Sequence, residues 1–524
     1  MRSRGPWSVA RGPMKTAWLA GLTLLLMVAC ASGTKKEDAK MPTTQQLANA
    51  PVLLPVSADP IVSLRISFAA GTQDDPAGKE GLAYLTATLM AEGATTTHAY
   101  AEVLKLLYPM AAAYDARVDK ERITFSGRVH RDNLEAYTSL LLDALLRPAF
   151  AEDDFGRLRQ RTLDSITKTL RYSSDEELGK AVLANTIFAG TPYGHIKEGT
   201  VAGLQAITLD DVRAFYASHF TRSTVTVGLG GGFDDTFAAR LQRELAALPA
   251  GVPAAVAPSR PHLAAGRQVV IVSKPGPATA ISFGFPVELL RGPREFYALW
   301  LANSFLGEHR SSSSHLYQVI REARGMNYGD YSYIEWYPEG GMRQTPPPLV
   351  PRRQQLFEVW IRPVPNAQAH FALRAAVREL ERLAANGMTE EQFALTRSFL
   401  SKYCLHFAET TSDRLGYALD DRFYGIAPDG HLARFRATAP TLTRDEVNAA
   451  IRKHLKPDNM MIALVSAEAE KLAAAIAGEA ASPISYATPK PPEVLAEDKE
   501  IERFPLRIGR EAIRIVPVDE VFAR

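Results

Sequence analysis

One stretch of this chain occurs twice. "TLDDVRAFYASHFTRSTVTVGL" starts at Thr208 and "TRDEVNAAIRKHLKPDNMMIAL" starts at Thr443. The two align without a gap and share Thr, Asp, Val and His at matching positions. Each reads as capped helix, turn, strand. Thr208 and Thr443 are good N-cap residues, and the acidic pairs behind them suit the positive end of a helix dipole. A second pair supports the duplication. "ISF" at Ile66 recurs at Ile281, and helical patterns follow both, "GLAYLTATLMAEG" and "YALWLANSFLGEH". A repeat of this kind fixes the architecture as two similar α+β halves, 51–250 and 266–475. Residues 251–265, rich in Ala and Pro, read as the linker. Residues 476–524 read as an extended C-terminal tail that wraps. Two such halves imply a clamshell with a cleft between them, a common place for a ligand.

The length of 524 residues agrees with more than one core. Net charge is +2, and no Lys/Arg-rich run is interleaved with aromatics. Nucleic acid is therefore excluded as a partner class.

The first residues carry an address. "AWLAGLTLLLMVA", 17–29, is an apolar run too short to span a bilayer stably, and Arg2, Arg4, Arg11 and Lys15 precede it. This is a secretory signal pattern over 1–29, with translation starting at Met1 or at Met14. The run ends "LMVAC". Small residues before Cys30 resemble a bacterial lipobox, so Cys30 is the expected lipidation site; ordinary cleavage nearby is the alternative. Residues 30–50 suit a flexible tether. The expected location is the periplasm, with a lipid anchor in the membrane. The outer membrane is the favoured face, because Ala31 stands where Asp would retain the chain at the inner one. Cys404, the other of two cysteines, sits among apolar and aromatic neighbours and reads as a buried, inert thiol.

Several stretches then occur in a telling order: "SFAAGTQDDPAGKEGLAYL", "LLLDALLRPAF", "TPYGHIKEGTVAGLQAITLDDVRAFYASHF", "SSSSHLYQVIREARGMNYGDYSY" and "GMTEEQFALTRSFL". Together they resemble the pitrilysin/insulinase family of zinc peptidases over nearly all of 55–475. Active members carry H-x-x-E-H on the first helix. Two histidines four apart reach one zinc, and the Glu between them acts on the zinc-bound water. The resemblance puts the first His at Tyr84, the Glu at Ala87 and the second His at Thr88. The third ligand, a Glu, falls on Ser165 or, one residue earlier, on Asp164. Ala87 offers no atom, and the hydroxyls of Tyr84 and Thr88 are poor ligands. No catalytic residue and no metal of its own are expected here. His98 with Asp164 or Glu92 is the conceivable replacement site, and solvated polar residues are the plainer reading of all three.

The resemblance also implies a substrate-binding pair from the second half, Arg321 and Tyr328 in "REARGMNY". Spacing alone favours an Arg–Tyr surface cluster; the resemblance favours two donors facing a peptide carbonyl. Some relatives split the work between two chains, and this one resembles the chain without zinc. The implied function is a non-catalytic, substrate-binding or activating subunit. Its implied partner is a zinc-bearing homologous peptidase chain, and its substrate is a peptide that adds a strand to a sheet edge. The alternatives are a peptide-binding or scaffold lipoprotein with no proteolytic role, or an autonomous metallopeptidase. "GLGGGF", 228–233, reads as a strand-end turn, and His219 and His454 as helix-end residues. The Pro-rich stretch 337–355 reads as a stiff exposed loop.

Overall fold

The computed structural model describes residues 47–256, 259–261, 263–338 and 343–524. The signal segment, Cys30 and most of the tether lie outside the described residues. The last tether residues are docked: Asn49 Nδ2 donates to the carbonyl of Val225 at 2.8 Å.

Eleven strands are found among the described residues. The first half holds β1 (Val52–Pro55), β2 (Ile61–Phe68), β3 (Ala113–Val118), β4 (Ile123–His130) and β5 (Val225–Gly231). The second holds β6 (Arg267–Ser273), β7 (Ala278–Val287), β8 (Asp330–Tyr333), β9 (Gln355–Pro365) and β10 (Met460–Ser466), and β11 (Ile513–Pro517) follows. The sheet orders are β1-β5-β2-β4-β3 and β11-β6-β10-β7-β9-β8. Apart from β11 they are the same sheet twice. The pairs β1/β5 and β6/β10 are parallel, and the other pairs of the repeated set are antiparallel. The repeated helices start as their sequences require. Thr208 accepts from Asp211 N and Thr443 from Glu446 N, each within a reciprocal capping box.

Strand alternation explains how the halves join. On β2, Val62, Leu64, Ile66 and Phe68 point into the first core, where Phe68, Phe125 and Phe220 meet edge to face. The other face of that sheet carries Ser63, Arg65 and Ser67, with Gly228 and Gly230 on β5. That face receives the helix Thr411–Phe423 from the second half. The exchange is mutual: the first-half helix Asp175–Ile187 packs on β7, β9 and β10. A Cβ on Gly228 would meet Leu419 at 3.0 Å, and one on Gly230 would meet Thr411 at 3.1 Å. The glycines of 228–231 therefore lie inside a buried strand, which corrects the expected strand-end turn. Glycine is used there because a helix from the other half approaches closely.

Two further expectations are corrected. The Pro-rich stretch is a buckle between the halves rather than an exposed loop. Arg352 makes a bidentate contact with Asp119, Leu349 N donates to Asp420 Oδ2 at 2.9 Å, and Arg117 Nη1 donates to Pro348 O at 3.2 Å. The tail is not merely extended. It forms the helix Pro492–Ile501, adds β11 in parallel to β6, and ends with Val521 and Phe522 in the first core. Arg324 and Arg378 hold that helix through Asp498, Glu497 and Glu500, partners that a wrapping coil would not keep in register.

Candidate functional site

The helix Leu82–Glu92 is positioned by its approach rather than by its cap residue. Asp75 lies six residues before Gly81, yet its carboxylate accepts from Gly81 N and Ala83 N, both at 2.7 Å. Gly81 has φ +108°, and a Cβ there would stand 2.5 Å from Glu198 O, so only glycine fits. The helix is fixed in place, and the positions where the resemblance implied ligands are occupied otherwise. Ala87 is fully buried in the core. Thr88 Oγ1 donates to Tyr84 O on its own helix at 2.7 Å. Tyr84 reaches a cavity, and burial raises its phenol above the ordinary range, which keeps it neutral. Ser165 Oγ donates to Thr162 O at 2.8 Å, at the start of the π-helical turn Ser165–Leu170.

These four residues do not fit a zinc ion. Nor do the conceivable replacements converge. His98 contacts Thr97 and Asp143, Asp164 accepts from Gln160 and Lys168, and Glu92 pairs with Arg161. Among the described residues no group of three or more His, Cys, Asp or Glu is placed to hold a metal.

The cavity that Tyr84 reaches lies between the halves and measures about 790 Å³. Its walls come from the first half at β3, the π-helical turn and the helix Asp175–Ile187, and from the second half at Trp336 to Arg352. β3 is the last strand of its sheet. Asp115, Ala116, Arg117 and Val118 line the cavity, and no strand pairs with the outer edge of β3 among the described residues. At the end of β3, Lys120 donates to His195 O. Burial, helped by the Arg352 charge, lowers the Lys120 ammonium to about 7. Burial likewise lowers the His195 imidazole to about 4. The site therefore offers a free strand edge with charged side chains around it.

The second-half pair is placed differently from the expectation. Arg321 and Tyr328 do come together, with the guanidinium 5.9 Å from the Tyr328 ring centre and 4.9 Å from that of Tyr317. Arg321 also pairs with Glu322 at 2.6 Å. Neither residue lines the cavity between the halves, and Tyr328 is 79% exposed. The turn at Gly325 (φ +69°) sets Tyr328 on the surface before β8, beside the half-buried Arg321. The matched histidines end their helices: His219 stacks on Phe215 at 4.1 Å and His454 lies 3.1 Å from Glu295. Cys404 is buried, and burial pushes its thiol up.

Sequence reasoning missed β3 and, with it, Asp115, Arg117 and Lys120. It also missed Arg65, although "SLRISF" carries the signal: an arginine between two serines on the polar face of a strand.

Comparisons with known proteins fit this architecture. Residues 52–200 match the family described as Insulinase (Peptidase family M16), and residues 206–400 match Peptidase M16 inactive domain. An uncharacterized zinc protease of Streptomyces coelicolor is 25% identical over 396 residues, covering 73% of this chain and 80% of its own. The crystal structure of a peptidase M16 inactive domain from Pseudomonas fluorescens superposes with a TM-score of 0.69 at 22% identity, over 79% of this chain and 94% of that one. A protease from Helicobacter pylori superposes with a TM-score of 0.68 at 16% identity, over 80% and 98%. With both halves matched in order and the sheet built twice, this chain belongs to the insulinase family, peptidase family M16.

Proposed function

We propose that this chain is a non-catalytic subunit that binds peptides and assists a zinc-bearing homologous chain of the same family. The observation that carries the reading is the free edge of β3. It opens on a cavity of about 790 Å³ beside a helix whose ligand positions are Tyr84, Ala87 and Thr88. An extended peptide can satisfy the unpaired backbone groups of such an edge, and pockets to either side select its side chains. The helix keeps its packing role, and any zinc belongs to the partner chain. The half-buried Arg321 and the exposed Tyr328 are the donors this chain extends toward the partner's substrate. Cys30 carries the lipid that anchors the chain on the periplasmic side, with the outer membrane the favoured face.

The test is cleavage of a fluorogenic peptide by a zinc-bearing relative, with and without this chain. Wild type raises the rate, and Arg321→Ala raises it roughly tenfold less, the scale of one lost charged hydrogen bond. Equal activation by the variant overturns the role of the pair. No activation by wild type overturns the subunit reading.

A further inference from the structure

The charges around β3 name a class of peptide, on the reading that the cavity binds peptides at all. Many lining charges are already paired: Arg352 with Asp119, Lys180 with Glu177, and Lys197 with Glu198. Three lining guanidinium groups have no carboxylate within ion-pair distance among the described residues, Arg65, Arg117 and Arg343, and the buried Lys120 ammonium, lowered to about 7, has none either. Only two lining carboxylates lack a cation in the same sense, Asp115 and Asp413. The cavity wall is thus left with an excess of positive charge, although the whole chain carries only +2.

Geometry separates the four. Arg65 and Asp115 both pair with Ser126 in the sheet register, so they form one row across β2, β4 and β3 on the cavity face. Arg65 is buried and engaged through both Nη atoms, donating to Leu64 O at 2.9 Å, Gly127 O at 3.3 Å and Ser412 Oγ of the helix Thr411–Phe423 at 2.6 Å, with only its Nε unpartnered among the described residues. Arg117 stands two residues along β3 from Asp115, on the same face. Only its Nη1 is engaged, with Pro348 O. Arg343 lines the same cavity from the other half, and its buried Nε has no partner among the described residues. Lys120 lies beyond the strand, in the turn between β3 and β4, with its Nζ bonded to His195 O. A strand added to β3 would run past Arg117, in a cavity that Arg343 also lines.

We propose that the cavity selects acidic peptides, extended along β3 with their carboxylates against Arg117 and Arg343. Half-buried guanidinium groups with no carboxylate in ion-pair contact favour a ligand that supplies one. A neutral amide side chain of equal size would not.

The test uses the full chain and three short rhodamine-labelled peptides, alternating Val with Glu, Gln or Lys, read by fluorescence anisotropy. The Glu peptide should bind about tenfold tighter than the Gln peptide, with the gap narrowing as salt is added. Arg117→Gln and, separately, Arg343→Gln should each weaken the Glu peptide more than the Gln peptide. Unchanged thermal unfolding of the variants excludes a folding defect. Equal binding of the Glu and Gln peptides, or tightest binding of the Lys peptide, overturns the acidic preference and leaves peptide binding standing. If none of the three binds, the peptide-binding reading fails together with it.

Discussion

Asp75 shows how a single residue can carry both local structure and pH dependence. It is fully buried and accepts two backbone N–H bonds at the start of the helix Leu82–Glu92. Burial pushes its carboxyl up to about 7, although those bonds and the Lys120 charge pull it down and Asp74 opposes them. His195 Nε2 lies 3.8 Å away. An unfolded aspartate titrates near 4, so between about pH 4 and 7 the folded chain holds a proton that the unfolded chain has lost. The raised value makes this contribution to stability complete in acid and lost as the pH rises through 7. Asp75→Asn cannot titrate, so urea unfolding from about pH 5 to 8 should lose less stability in the variant than in wild type. An identical fall in both would contradict the assignment. Asp75→Ala leaves two helix-start N–H groups unbonded and should cost about 1–3 kcal/mol at all pH values. The "QDD" preceding the helix was visible in the sequence, but a cap reaching forward six residues follows no short-range pattern and needs the fold to reveal it.

At the scale of elements, the sequence was most legible where a helix repeats with its cap and least legible at edges and faces. The helices starting after Thr208 and Thr443 stand as their capping residues require. The helix Leu82–Glu92 stands where the ordered landmarks put it. β3 was not legible because an edge strand carries charges to discourage pairing, and Asp115 and Arg117 blur its alternation. The glycines of β5 were misread because their neighbour, the helix Thr411–Phe423, is far away in the sequence. If β3 accepts a peptide as an added strand, methylating alternate backbone amides of that peptide must block it, because the ladder loses its donors. Anisotropy should show affinity falling about tenfold or more for one of the two methylation registers, with the other far less affected. Equal affinity in both registers would mean that side chains alone hold the peptide.

For the molecule as a whole, the halves are joined by helix exchange, by the tail and by the buckle at Arg352. Breaking the buried Arg352–Asp119 pair on one side would strand a charge, on the order of 3–5 kcal/mol. The duplication made the two-half architecture readable in advance. The exchange of helices was not readable, because the polar and glycine-rich inner faces look like turns and loops until the opposite half covers them. The central claim is that the insulinase fold is present here while Tyr84, Ala87, Thr88 and Ser165 do not fit a zinc ion. The most direct measurement is zinc content and peptide cleavage by the purified full chain, each with added zinc and with a chelator. The account predicts less than about 0.1 zinc per chain and intact peptide in both conditions. One tightly bound zinc per chain, with cleavage abolished by the chelator, would contradict it.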